Sequence, residues 1–122
     1  GLLALRTTVF LATVGPRGLK QMATLSHQKA RYAADLLTKI PGVSLKFKQP
    51  FFREFVLQTP RPSAEVLPAL ADKGINVGPD LARFEMTDVE DWQNCFLVAL
   101  TEKRTRSEIE HLAQTLQEVL KS

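Results

Sequence analysis

The sequence predicts an α+β sandwich, a small and mainly antiparallel sheet covered by helices, and three stretches carry that reading. Cys95-Phe96-Leu97-Val98-Ala99-Leu100 is a near-continuous apolar run, short for a helix and rich in strand formers, that breaks into charge at Thr101. Phe55 and Leu57 lie on one side of a second such run, only a turn away from the alternating Val43, Leu45 and Phe47, so two neighbouring strands pair antiparallel. Leu19, Met22, Ala23, Ser26, Ala30, Ala33, Leu37 and Ile40 trace one face of a long helix at the usual pitch.

In chain order, Leu2 to Val14 is apolar on nearly every side and begins without a capping residue, which suits the tail of something buried; the chain is expected to start part-way through a larger protein. Gly15-Pro16 ends that helix, and Pro16 suits the first turn of the next, which runs to Pro41-Gly42. A one-face-wet strand spans 43–48, Gln49-Pro50 turns the chain, and a second strand covers Glu54 to Gln58. Ser63 caps a short helix to about Asp72 in which Pro68 is an awkward residue, and Lys73-Gly74 closes it. Ile75 and Val77 suggest a short strand, and the polar, acidic segment from Asp80 to Asn94 reads as a loop. After the Cys95 strand, Thr105 and Glu108 form a capping box, followed by a stripe of Ile109, Leu112, Ala113, Leu116, Val119 and Leu120 that packs on the sheet.

Size and composition narrow the function. A chain of 122 residues with 44% hydrophobic and 24% charged residues fits one globular domain. The +3 charge, 16 basic against 13 acidic residues, is spread without a dense basic run, so nucleic-acid binding is not required; a basic long helix bearing Lys20, Lys29, Arg31 and Lys39 equally describes a solvated face. No stretch reaches the roughly 18 apolar residues needed to span a bilayer. The single Cys95 excludes an internal disulfide and reads as a buried thiol, and His27 and His111 lack a second ligand at metal spacing. A reducing compartment, the cytoplasm, is the expected location.

Several strings then resemble one family in order and spacing: Leu2-Leu3-Ala4-Leu5 through Val14-Gly15-Pro16-Arg17-Gly18-Leu19, Ile40-Pro41-Gly42-Val43, Pro50-Phe51-Phe52-Arg53-Glu54-Phe55-Val56, Lys73-Gly74-Ile75, and Thr101-Glu102-Lys103-Arg104-Thr105 with Glu108-Ile109. The chain is similar to the carboxyl-terminal part of subunit 1 in the glycine cleavage P-protein family, the glycine dehydrogenases (decarboxylating), in the form split between two chains. Two departures stand out. Arg53 replaces the usual asparagine, and the family's Gly-Gly-x-x-Leu-Gly-Arg pattern survives only loosely as Val77-Gly78-Pro79-Asp80-Leu81-Ala82-Arg83.

The resemblance implies the small carboxyl-terminal domain of a fold type I pyridoxal-phosphate enzyme: residues 1–15 end a missing large domain and 16–122 form the small one. It further implies that subunits 1 and 2 together decarboxylate glycine and pass the aminomethyl group to the lipoyl arm of H-protein. The cofactor lysine then sits on subunit 2 and none is bound by this part. No catalytic residue is assigned, because Lys103, the tempting candidate, also reads as a solvated charge. Candidates for contact with the large domain or subunit 2 are Phe51 and Phe52, which read equally as core, with Arg83, Thr101, Glu102 and Arg104; Arg104 and Arg106 read equally as partners of Glu102 or Glu108. With its large domain absent, the apolar start is expected to self-associate. The alternative, of a different class, is a stand-alone module of this fold that binds a small ligand or a protein.

Overall fold

The computed structural model describes residues 1–84 and 88–122. Its elements are α1 (Leu2–Leu37), β1 (Ser44–Leu45), β2 (Glu54–Gln58), α2 (Ser63–Asp72), β3 (Cys95–Ala99) and α3 (Arg106–Lys121), with single 3₁₀ turns at Leu81–Arg83 and Trp92–Asn94. The three strands form one antiparallel sheet in the order β1-β2-β3, with Leu45 opposite Leu57, Leu57 opposite Phe96 and Phe55 opposite Val98.

That register puts Leu45, Phe55, Leu57, Phe96 and Val98 on one face, and the core forms there. All three helices cover it: α1 through Ala30, Ala33, Ala34 and Leu37, α2 through Val66 and Leu70, and α3 through Ile109, Leu112, Leu116 and Val119. The three alanines add almost no side chain, so α1 lies close against its neighbours. Val56 and Leu97, which face the other way, stay half-buried. No helix among the described residues is long and apolar enough to cross a membrane.

The sheet and its helices follow the sequence, and the differences have local causes. The two amino-terminal helices run on as one element bent at Gly15, whose φ of 66° and ψ of 176° only glycine adopts readily. The helix stops at Leu37 rather than Ile40, since residues 38–40 already turn into Pro41-Gly42. β1 keeps only Ser44 and Leu45 of the expected 43–48 strand, although Lys46 still donates its N–H to the Val56 carbonyl. Pro62, not Ser63, occupies the cap position of α2, and Pro68 is taken up inside that helix without shifting its start. The buried Ser63 hydroxyl turns instead to Asp80 and to the Gln93 carbonyl, tying α2 to the loop.

The short strand expected at Ile75 and Val77 is reduced to one bridge, Asp80 with Phe96, beside β3. Here Gly78 is required: a Cβ on it would sit 2.2 Å from the Leu97 carbonyl oxygen. The expected loop from Asp80 to Asn94 contains both 3₁₀ turns, and its residues 85–87 lie outside those described.

Candidate functional site

The carboxyl end of β3 and the amino end of β2 meet at one end of the sheet, where the Leu100 N–H donates to the Arg53 carbonyl. Two turns are held there, 49–53 before β2 and 101–105 before α3, and α1 passes beside both. Five of the six contact candidates gather in this place: Phe51 and Phe52 on the first turn, Thr101, Glu102 and Arg104 on the second. Arg83 is exposed in the 3₁₀ turn at the opposite end, beside the start of β3, and does not join them.

Residues of α1 that the sequence reading did not single out as site residues organise the two turns. His27 Nδ1 lies 3.0 Å from the Phe52 carbonyl, a contact that only a protonated Nδ1 makes, and its ring stacks on Phe52 at 6.2 Å. The Lys29 ammonium donates to the Glu102 carbonyl, and the Arg31 guanidinium sits 5.7 Å over the Phe51 ring. His27 and Arg31 are four apart and therefore share a face; that spacing was visible in the sequence, but its target was not. Phe51 packs on Phe55 at 5.2 Å and belongs to the core edge, whereas Phe52 remains 52% exposed. Of the two, Phe52 exposes the larger surface.

The second turn is stiffened by the capping box. Glu108 Oε2 accepts from the Thr105 N–H at 2.7 Å, and the Glu108 N–H donates back to Thr105 Oγ1 at 3.2 Å. The backbone donor, first, and the Thr105 hydroxyl hold the Glu108 carboxyl below the usual glutamate range. Arg104 pairs with Glu108 at 3.3 Å and its N–H donates to the Thr101 carbonyl. Farther along α3, Arg106 and the Tyr32 hydroxyl both donate to Glu110 Oε1, at 2.8 and 2.9 Å, and in that order lower its carboxyl.

Beside this turn lies a cleft of about 290 Å³ with Ile75, Val77, Val98, Leu100 and Leu112 as apolar walls and Arg104, Glu108 and His111 at its polar side. Arg104 and Glu108 pair with each other on that polar side. Cys95 is enclosed, and burial pushes its thiol up, away from nucleophilic use. Among the described residues, no group of three histidine, cysteine or carboxylate side chains could hold a metal. The arrangement holds the two turns in place at one end of the sheet.

The strongest single surface feature is elsewhere. The first arm of α1, residues 2–14, exposes Leu2, Leu3, Leu5, Val9, Phe10 and Leu11, with Leu3 at 76%. It leads away from the end of α1 that carries His27.

Comparison with known proteins places these features. The model of the family described as glycine cleavage system P-protein matches residues 1–116. The probable glycine dehydrogenase (decarboxylating) subunit 1 of Chlorobium limicola is 44% identical over 94% of this chain, and that of Geotalea uraniireducens 43% identical over 98%. The chain spans only 24% and 26% of those relatives' lengths. A solved glycine decarboxylase (P-protein) of the glycine cleavage system, in inhibitor-bound form, superposes with a TM-score of 0.78 at 33% identity, covering 92% of this chain and 24% of that one. The glutamate decarboxylase domain of a Vibrio parahaemolyticus transaminase and decarboxylase has the same fold, with a TM-score of 0.71 at 17% identity over 96% of this chain and 25% of its own. The fold is thus one shared by pyridoxal-phosphate enzymes of fold type I. With the match running through the exposed arm, both turns and most of α3, the chain belongs to the glycine cleavage system P-protein family.

Proposed function

We propose that this chain is the carboxyl-terminal small domain of a glycine dehydrogenase (decarboxylating) subunit 1, and that it serves the reaction by presenting a rigid edge to the rest of the enzyme. The observation that carries the reading is the pairing of family membership over residues 1–116 with an exposed apolar arm that has no cover in this chain. Residues 1–15 then finish the large domain and 16–122 form the small one. The assembled enzyme decarboxylates glycine and passes the aminomethyl group to the lipoyl arm of H-protein, in the cytoplasm, as part of glycine catabolism.

Pyridoxal phosphate supplies the electron sink for decarboxylation in such an enzyme. The residues of this chain do not fit it. A Schiff-base lysine needs a desolvated amine, but Lys103 is exposed and the half-buried Lys29 and Lys46 donate to the Glu102 and Glu90 carbonyls. The family resemblance implies that the cofactor lysine belongs to subunit 2, and this chain supplies no reacting group. The role of this chain is mechanical: α1 fixes the turns 49–53 and 101–105, and the turns hold Phe52, Thr101 and Glu102 against a domain or subunit.

Assembly tests this. A full-length subunit 1 carrying this chain, mixed with subunit 2 and followed by sedimentation, is expected to form a stable complex that Phe52→Asp weakens. Two chains that sediment independently would favour the stand-alone binding module instead.

A further inference from the structure

We propose that the polypeptide covering the first arm of α1 places a carboxylate against Arg6, so that this arm docks into an apolar groove containing an acidic residue in the part of the enzyme this chain does not include. The inference rests on the reading above and adds the chemistry of the contact. On a helix the neighbours of a residue on one face are those three and four positions away, and for Arg6 these are Leu2, Leu3, Val9 and Phe10. All four are large, apolar and exposed. Arg6 thus stands inside the apolar stripe rather than at its border.

The other polar side chains of the arm are already satisfied: the Thr7, Thr8 and Thr13 hydroxyls donate to the Leu3, Ala4 and Val9 carbonyls. The guanidinium is the exception. Among the described residues, no ion pair involves Arg6. Whatever covers the stripe buries this charge with it, and a buried guanidinium without a partner is strongly unfavourable, whereas a carboxylate accepts its planar fork in two parallel hydrogen bonds.

The same residue selects among occupants. The arm of a second copy brings no carboxylate, because the first acidic residue of the chain is Asp35; two paired arms would bury Arg6 against apolar groups or against each other. A membrane surface fits poorly, since interfacial helices keep their cations on the polar face and Arg6 lies on the apolar one. The relatives supply the remaining occupant, for about three quarters of their length lies outside the segment this chain matches.

The test compares two contexts. In one, this chain replaces the matched segment of the Chlorobium limicola subunit 1; in the other it stands alone. Arg6→Glu is expected to lower the unfolding midpoint of the chimera by several degrees and Arg6→Lys to retain most of it, while both leave the isolated chain unchanged. A chimera whose midpoint Arg6→Glu leaves unchanged would overturn the carboxylate contact and leave the family placement standing. A chimera that fails to fold with Arg6 intact would overturn the placement and this proposal together. A concentration-dependent dimer of the isolated chain abolished by Leu5→Asp, or its co-sedimentation with phosphatidylserine vesicles, would give the stripe another occupant and also overturn it.

Discussion

Gly78→Ala is the sharpest test of how the 75–80 segment is held against the sheet. A Cβ at Gly78 would lie 2.2 Å from the Leu97 oxygen and 3.0 Å from its carbon, both backbone atoms of β3. An ordinary carbon–oxygen contact is about 3.3 Å, so the segment must retreat by about 1 Å. That movement breaks the hydrogen bond from the Leu97 N–H to the Pro79 carbonyl and strains the Asp80 bridge, at about 1 kcal/mol for the bond and about 1–3 kcal/mol for overpacking. Alanine returns about 0.4–1 kcal/mol by restricting the unfolded chain, so the net loss is about 1–4 kcal/mol. Gly74→Ala is the control: its φ is 79° with nothing within 4 Å of the new Cβ, so only the left-handed strain of about 1–2 kcal/mol applies, less the same unfolded-state gain. Urea titrations followed by Trp92 fluorescence measure both. A Gly78→Ala variant as stable as the wild type, or more stable than Gly74→Ala, would refute the close approach.

Thr105→Ala removes the α3 cap and is expected to cost about 1 kcal/mol in the same titration. Because Glu108 is held below its ordinary pKa, the pair's contribution is present above the unfolded glutamate value and disappears as pH falls through the folded one; Thr105→Ala should flatten that acid-side decline. Cys95 should resist alkylation at neutral pH until the chain unfolds, with burial holding its thiol protonated; labelling rates with and without urea measure it. Leu57→Ala opens the centre of the core, where the side chain is fully buried, and should cost about 2–5 kcal/mol by urea titration.

The parts legible in the sequence are those where one local rule decides. The capping box at Thr105 and Glu108, the period-two pattern of Phe55 and Leu57, and the α3 stripe needed nothing beyond their own neighbours, and each appears in place. The shortened β1 and the bridge in place of a strand at 75–77 were not legible, because strand length depends on what lies alongside. Ser63 shows the same limit: a good cap residue by type, it is drawn away by Asp80, a loop residue far along the chain. At the candidate site, the turns could be named but not their anchors, since Lys29 and Arg31 read as a solvated face and His27 as a histidine without a metal partner until the fold brings Glu102, Phe51 and Phe52 to them. Arg83, a contact candidate from a loop string of its own, falls at the far end beside the start of β3, because a string's place in the chain does not fix its place in space.

The most direct test is glycine-dependent exchange of labelled carbon dioxide by full-length subunit 1 carrying this chain, together with subunit 2, pyridoxal phosphate and H-protein. Exchange that needs both subunits, and is lost when residues 2–122 are deleted, is the expected result. Exchange by subunit 2 without this chain, or none with every component present, would contradict a small domain that the decarboxylase needs to assemble.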